Sequence, residues 1–244
     1  MNLVDVHCHL NHKSYEKDLD EVIKRAKKVG LKAIIVSGTN TKSNKQVLEL
    51  AEKNEVLKVS LGLHPIDTLG LFEGETGIPK QKGKIDLEKE FKFIEKNLNK
   101  IVAVGEVGLD FHWDKEHHQE QIEIFRKIIQ FCNKVKKPII VHTWEAEEEC
   151  LDILEEEAKV KVILHCFGGR KALVSKGKEL GYYFTIPPSI VKSSSFKMIA
   201  KKVPLTQLLT ETDAPWQSPE RGEKNEPANV KVAIKTIAEI KNIS

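Results

Sequence analysis

The sequence predicts an α/β fold, a (β/α)8 barrel of the TIM type, formed by a single domain over residues 1–244. Eight short, apolar and β-branched stretches alternate with eight helix-like stretches, a pattern typical of parallel strands buried on both faces. A chain of 244 residues also has the usual length of such a barrel. Polar residues with ligand chemistry follow the predicted strands, which favours a closed barrel over an open doubly wound sheet, the alternative built from the same local units.

The predicted elements follow one another without a linker. Strands are expected at residues 3–9, 33–36, 57–63, 101–105, 138–141, 160–164, 182–186 and 205–210. Helices are expected at residues 15–29, 43–53, 87–98, 119–135, 146–156, 171–180, 196–201 and 229–240. In the first helix, for example, Leu19 and Val22 recur at helical spacing, and Gly30 stands where a C-cap glycine belongs. Residues 67–84, rich in glycine and charge, predict a long loop that is the best candidate for a disordered or lid-like segment.

The composition is that of an ordinary globular protein, with 40% hydrophobic and 31% charged residues and a net charge of +3. No apolar run approaches membrane-spanning length, so no membrane partner is expected. The first residues lack the order of a signal peptide, and the four cysteines include no C-x-x-C pair. These features exclude a zinc ribbon and predict a cytoplasmic protein with reduced thiols.

The first predicted strand contains His7 and His9. Side chains alternate along a strand, so these two imidazoles point to the same side. Neutral imidazole suits zinc, iron or manganese, and the pair is therefore half of a candidate metal site. Two solvated histidines on a surface strand are the alternative for this motif taken alone.

Six residues with metal-ligand chemistry lie at the ends of predicted strands, and they are His7, His9, Glu106, His142, His165 and Asp213. In a barrel these ends meet at one mouth, where the active sites of this fold lie. Taken singly, each histidine could be an ordinary hydrogen-bonded residue. Together they exceed the three protein ligands of one catalytic zinc and suit two divalent metal ions that share a carboxylate. Glu106 follows Gly105, which allows a close backbone approach, and its side chain is long enough to bridge.

Several motifs resemble those of the TatD family of metal-dependent deoxyribonucleases. They are VHCHL at residues 6–10, GEVGLD at 105–110, LHCF at 164–167, ETDAP at 211–215 and the tail at 221–227. The resemblance spans nearly the whole chain, and the second and fourth motifs, in this order, are highly specific. It implies an amidohydrolase-like barrel that hydrolyses phosphodiester bonds of nucleic acid as a 3′–5′ exodeoxyribonuclease. Single-stranded DNA is the expected substrate, because a stacked base pair cannot lower its phosphate into the concave mouth of a barrel.

The resemblance also implies ligand roles. His7, His9 and Asp213 would hold one metal, His142 and His165 the second, and Glu106 would bridge them, with zinc, manganese or magnesium as the ions. His64 matches a position near the substrate phosphate. The chain departs from the family pattern at Asn11, where members often have Asp, and at Trp144, where they often have Arg. The second departure bears on phosphate binding and substrate choice, not on metal binding.

Three tryptophans, Trp113, Trp144 and Trp216, each follow a candidate ligand within a few residues. Bases of single strands stack on such side chains, so Trp113 and Trp144 are candidate substrate residues; ordinary packing of loops on the barrel is the alternative. Asp110 and His112 are expected either to orient the ligands or to lie on the surface.

Hydrolysis is the expected chemistry, with Asp213 and Glu106 as catalytic residues. Two cations activate a water and stabilise charge on a phosphoryl group, and Asp213 is placed to accept the proton of the water. A first alternative is hydrolysis of a small amide, lactone or aminoacyl ester. Relatives of this barrel often bridge their metals with a carbamylated lysine, and Glu106 in that position favours the TatD branch. A second alternative is a non-catalytic metal- or nucleic-acid-binding protein, which six intact ligands argue against.

Overall fold

Eight parallel strands form one sheet in which the strand order follows the chain, in a computed structural model that describes residues 2–71 and 77–243. The strands are β1 (Leu3–Cys8), β2 (Leu31–Ser37), β3 (Leu57–Leu63), β4 (Ile101–Asp110), β5 (Ile139–Trp144), β6 (Val162–Leu164), β7 (Tyr183–Ile186) and β8 (Leu208–Thr210). Every neighbouring pair from β1–β2 to β7–β8 is parallel. The predicted TIM-type barrel is confirmed.

The barrel nearly closes where β8 meets β1. The Thr210 hydroxyl donates a hydrogen bond to the carbonyl of Val4 at 2.9 Å. Beyond the end of β8, the Asp213 N–H donates to the His7 carbonyl at 2.9 Å, and the His9 N–H donates to the Ala214 carbonyl at 2.7 Å. These contacts bring the last predicted ligand, Asp213, beside the first two.

The helices surround the sheet. They are α1 (Leu19–Lys28), α2 (Thr41–Lys53), α3 (Pro65–Thr68), α4 (Leu87–Lys96), α5 (His118–Val135), α6 (Glu147–Glu157), α7 (Lys171–Glu179), α8 (Ser194–Lys202) and α9 (Val230–Lys241). All but the short α3 lie where the sequence predicts a helix. The first begins at Leu19 and not at Tyr15, because Tyr15 belongs to a separate 3₁₀ turn and is buried with its hydroxyl bonded to the Asn225 carbonyl. No helix in the two described ranges is both long and apolar enough to cross a membrane.

The core lies between the helices and both faces of the strands. Ile139, Ile140 and Val141, consecutive residues of β5, are all fully buried, as expected for a strand covered on both sides. Burial of each such side chain contributes about 1.5–3 kcal/mol. Phe125 and Ile129, one turn apart on α5, are also fully buried. This packing holds the strands, and with them the strand ends that form the mouth, in fixed positions.

Two glycines allow close approach of the strands around Glu106. A Cβ at Gly62 in β3 would lie 2.1 Å from the backbone nitrogen of Glu106, and one at Gly105 would lie 2.6 Å from the Cβ of Ile140 in β5. Both distances are far below van der Waals contact. Glycine at both positions therefore lets β4 fit between its neighbours.

Two sequence-based boundaries differ from the structure. The fourth strand does not end at Glu106, because β4 continues to pair with β5 as far as Asp110 opposite Trp144, so Glu106 points into the mouth from within a strand. The loop predicted over residues 67–84 starts later, since Pro65–Thr68 forms a helical turn. Residues 72–76 of that loop, the centre of the expected lid-like segment, lie outside the described residues. Its later part is attached to the barrel, for the Asn40 amide donates to the Pro79 carbonyl at 2.9 Å.

Candidate metal centre

The six predicted ligand side chains converge at the carboxyl ends of the strands. His7 and His9 turn their Nε2 atoms toward each other at 3.0 Å. The Oε2 atom of Glu106 lies 3.4 Å from His7 Nε2 and 3.3 Å from His9 Nε2. Asp213 Oδ1 lies 3.7 Å and 3.8 Å from the same two nitrogens. Two imidazoles and two carboxylates thus surround one point.

The second oxygen of Glu106 faces the other two histidines. Glu106 Oε1 lies 3.0 Å from His142 Nδ1 and 3.8 Å from His165 Nε2. His165 Nε2 is also 3.8 Å from Asp213 Oδ1. Each oxygen of this carboxylate therefore serves a different pair of histidines, which is the arrangement that a bridging ligand requires.

Ser37, at the end of β2, contacts the ring nitrogens of His7 and His9 that point away from the centre. The Nδ1–H of His9 donates to the Ser37 carbonyl at 3.1 Å, because a carbonyl can only accept. The Ser37 hydroxyl lies 3.1 Å from His7 Nδ1. The His9 bond leaves a lone pair on its Nε2, directed at the centre.

Two buried carboxylates hold the second pair. His142 Nε2 donates to Asp110 Oδ2 at 2.9 Å, and His165 Nδ1 donates to Glu211 Oε2 at 2.8 Å. The two histidines therefore turn different ring nitrogens toward Glu106. Partners of this kind fix the orientation and tautomer of metal-binding histidines.

Asp5 connects the two ends of the barrel beneath the centre. Its carboxylate is fully buried and accepts hydrogen bonds from the His7 N–H at 3.3 Å and from the Thr212 N–H and hydroxyl at 2.9 and 2.5 Å. It thereby ties β1 to the segment that carries Asp213.

Sequence reasoning missed Asp5, Ser37 and Glu211 as site residues. Asp5 stands two residues before His7, and Glu211 stands two before Asp213. The alternation of side chains along a strand is the signal that could have found these two. Ser37 offers only its position at a strand end, which many serines share.

Burial and mutual contact set the charges of the carboxylates and of His7. Burial alone would raise the pKa of Glu106, but hydrogen bonds from His142, His7 and His9 hold it well below the usual range. Burial raises the pKa of Asp213 to about 7, although His165 and His9 oppose the shift. Burial, reinforced by His165, lowers the pKa of His7 to about 4. Glu106 is therefore ionised and His7 neutral at pH 7.

The second pair of histidines behaves differently. Burial lowers the pKa of His142, but the hydrogen bonds to Asp110 and Glu106 outweigh it and raise the pKa to about 10. Burial likewise lowers the pKa of His165, but Glu211 and Asp213 raise it to about 9. Protons on these rings supply positive charge that a bound cation would otherwise supply.

The donor set fits divalent cations. Imidazole nitrogens and carboxylate oxygens are the ligands that suit zinc and manganese, and His7, His9 and Asp213 offer atoms within 4.8 Å of one another, as do His7, Glu106 and His165. Neither Lys nor Arg lines the cavity above them, as far as the described residues show. Buried ionised carboxylates need a positive partner, and a cation at the centre meets that need.

A cavity of about 650 Å³ opens above the centre. His9, Glu106, His142, His165 and Asp213 line its base, and Trp113, Trp144 and Trp216 line its wall. The three indoles are 50%, 43% and 39% exposed, the most open large aromatic side chains in the described parts of the chain. The tryptophans therefore surround the mouth, as the sequence predicts.

His112 is not among the described residues that line this cavity. Its ring stacks on Trp144 with centroids 4.1 Å apart and an angle of 5°, and its Nδ1 lies 2.8 Å from Glu145 Oε1. Trp113 meets Trp144 nearly at a right angle, at 6.2 Å. His112 thus packs on one face of the indole of Trp144, which itself lines the cavity.

His64 lines the cavity beside the second pair of histidines. It is buried, and its ring centroid lies 4.6 Å from that of His142. Its Nδ1 has no hydrogen-bond partner among the described residues. The side-chain amide of Asn11, at the departure from the family pattern, is likewise buried without a partner in the described ranges. A ligand in the mouth could supply the partner of His64.

Comparison with known proteins identifies one family. The family model described as TatD related DNase matches residues 4–244. The human deoxyribonuclease TATDN3 is 33% identical over 249 residues, covering 100% of this chain and 89% of that protein. The metal-dependent hydrolase MJ1582 of Methanocaldococcus jannaschii is 36% identical over 241 residues, covering 98% and 89%. The solved structure of YJJV, a TatD homolog from Escherichia coli, superposes with a TM-score of 0.84 at 26% identity, covering 98% of this chain and 90% of that one.

Proposed function

The chain belongs to the TatD family of metal-dependent deoxyribonucleases, hydrolases that act on ester bonds, and from this premise we propose that it shortens single-stranded DNA from the 3′ end. The observation that carries the chemistry is the placement of Glu106, whose two oxygens face two separate pairs of histidines. A bridging carboxylate of this kind suits two metal ions that act together on one phosphodiester.

The ligands divide into two groups in this proposal. His7, His9 and Asp213 would hold one ion, and His142 and His165 would hold the other, with Glu106 as a ligand of both. The distances of 3.0–3.8 Å from Glu106 to the four imidazoles support this division. When bound, the two ions activate water and stabilise the charge that develops on the phosphoryl oxygens. Zinc and manganese suit the nitrogen-rich donor set better than magnesium, which prefers oxygen.

Asp213 is the proposed general base. Its carboxylate is buried and lies within 3.8 Å of three imidazoles, so its orientation is restricted. Its backbone is fixed by the hydrogen bond from its N–H to the His7 carbonyl. A carboxylate held in this way can accept the proton of the attacking water without reorganising.

His64 is the proposed phosphate contact. Burial lowers the pKa of its imidazole, and His142 adds to the shift, so the ring is neutral and can donate one N–H. The unpartnered Nδ1 makes a non-bridging phosphate oxygen a suitable acceptor for this ring. Trp144 replaces the family arginine here, so aromatic stacking takes the place of one charged contact.

The preference for single strands follows from the shape of the mouth. The reacting phosphate must reach candidate ligands at the bottom of a concave cavity, and a base that stays stacked in a duplex cannot lower its phosphate into one. A free terminal base can lie against the exposed face of Trp144, with the nearly perpendicular ring of Trp113 beside it. Stacking of this type is worth about 1–3 kcal/mol per base. We take the start at the 3′ end and the choice of DNA from the family and extend them to this chain.

A digestion panel tests the proposal. Linear single-stranded DNA with a free 3′ end, the same strand blocked at its 3′ end, a circular strand and the corresponding RNA are incubated with zinc, manganese or magnesium. We expect stepwise shortening of the free linear DNA alone, loss of activity with a chelator and a rate lowered by about 10²–10⁴ in Asp213→Asn. Equal cutting of the circle would overturn the end-directed mode. Cleavage of an aminoacyl ester or amide, with every nucleic acid intact, would replace the nuclease by a hydrolase of small substrates.

A further inference from the structure

Asp110 connects a candidate metal ligand to the wall of the cavity. Its carboxylate is fully buried at the end of β4. One oxygen, Oδ2, accepts the hydrogen bond from His142 Nε2 at 2.9 Å. The other, Oδ1, accepts hydrogen bonds from the backbone N–H groups of His112 at 3.0 Å and Trp113 at 2.8 Å. One side chain thus serves both the metal centre and the loop that carries an aromatic wall residue.

A glutamine fixes the position of Asp110 itself. Gln121, buried on α5, accepts from the Asp110 N–H at 2.8 Å and donates to the Asp110 carbonyl at 2.9 Å. The same amide donates to Asp114 Oδ2 at 3.0 Å. Because its backbone is held on both sides, the Asp110 side chain cannot follow His142 if that ring turns.

The tautomer of His142 depends on this contact. His142 and His165 turn different nitrogens toward Glu106 Oε1, Nδ1 from the first and Nε2 from the second. His142 can offer an Nδ1 lone pair to a cation only if its proton sits on Nε2. Asp110, as an ionised acceptor at Nε2, selects that form, as Glu211 selects the opposite form of His165.

We propose that Asp110 is a positioning residue that sets the tautomer of His142 and, through the same carboxylate, the place of the Trp113 loop. The proposal rests on the proposed function, because it requires His142 to hold an ion. Its consequence is that the second ion and the aromatic wall share one anchor, so a change at this anchor affects metal binding and substrate binding together.

Asp110→Asn separates these two effects. The amide oxygen can still accept from His112 and Trp113, while the amide nitrogen then faces His142 Nε2 as a donor. The reverse orientation would set the NH₂ group against two backbone N–H donors. To pair with the amide, His142 must take the Nδ1–H form, which blocks the nitrogen that faces Glu106. We expect the second equivalent of cobalt(II) to bind about 10–100-fold more weakly, with the first unchanged.

Asp152→Asn is the matched control. This carboxylate makes the same Asp-to-Asn change on the exposed face of α6, where it pairs with Lys176 away from the metal centre. We expect it to bind both cobalt ions as the wild type does. Asp110→Ala, which removes both oxygens, should weaken the second ion and also change the tryptophan emission, whereas Asp110→Asn should leave the emission as it is.

The titration is followed by the cobalt d–d absorption, with circular dichroism as the check on folding. Two ions bound equally well by the wild type and by Asp110→Asn would overturn this inference and leave the proposed function intact. A wild type that binds no divalent ion would overturn both. Loss of the first ion and of the helical signal in Asp110→Asn would contradict positioning, because it would show a role in folding alone.

Discussion

The base and the wall of the cavity are built in different ways. The base is formed by the six candidate ligands, of which His9, Glu106, His142, His165 and Asp213 line the cavity and His7 is fully buried beside them; the wall consists of Trp113, Trp144 and Trp216. The base is buried except for the partly exposed His142, and each histidine has a partner on its far nitrogen. The wall is 39–50% exposed, and its rings contact other aromatic rings, as in the stack of His112 on Trp144.

This difference follows from where the residues stand in the fold. Five of the six candidate ligands lie in strands or directly after them, where the hydrogen-bond ladder of the sheet fixes the backbone. The tryptophans lie at a strand end or in the loops beyond, and loops vary more among related proteins than the strands they connect. We expect the base to determine the chemistry and the wall to determine which substrate enters. Changes in each region should therefore affect different kinetic constants.

The largest effect is expected for Glu106→Gln. The amide removes the charge and the second acceptor oxygen that face both pairs of histidines. We expect loss of both ions and of all measurable turnover, determined by elemental analysis and by digestion of single-stranded DNA. Glu52→Gln, an exposed change on α2 in an ion pair with Lys100, should behave as the wild type. Full metal content in Glu106→Gln would show that this side chain does not bridge.

Asp213→Asn should have the next largest effect. The variant keeps His7, His9 and Glu106 in place, so much of the metal should remain bound. It loses the proton acceptor, a change typically worth about 10²–10⁴ in rate. The measurement is kcat alongside metal content, and an unchanged kcat would mean that Asp213 is not the base.

The second pair of histidines makes metal binding depend on pH. Because their neighbours raise the pKa of His142 to about 10 and of His165 to about 9, both rings are protonated at neutral pH until an ion displaces the protons. Affinity should therefore rise with pH, by up to about tenfold per unit for each proton released, and level off above these values. Calorimetric titrations in buffers of different ionisation enthalpy count the protons. Binding without proton release near neutral pH would show that these rings are not ligands.

The smallest effect is expected at the wall. Trp144→Ala removes a stacking surface worth about 1–3 kcal/mol per base, so KM for single-stranded DNA should rise by roughly 5- to 150-fold while kcat changes little. Trp144→Phe retains an aromatic face and should restore most of the affinity. A fall in kcat with KM unchanged would place Trp144 in the chemistry and remove the distinction between wall and base.

The sequence was sufficient for the parts of the site that depend on strand position. His7 and His9 share a face because a strand alternates, and the closed sheet brings His142, His165 and Asp213 to the same mouth. The anchoring partners were harder to predict. The roles of Asp110 and Ser37 depend on which neighbour their side chains reach across the barrel, a three-dimensional fact that spacing along the chain does not contain. The depth of Glu106 within β4 depends in the same way on continued pairing with β5.

A metal titration of the stripped protein tests the central claim most directly. The protein is treated with a chelator, and zinc or manganese is added back in steps while bound metal and hydrolysis of a linear single strand are measured in the same samples. We expect no activity without metal and a rise that reaches its plateau at two bound ions per chain. Full activity with one ion, or hydrolysis that survives removal of all metal, would contradict the two-ion centre.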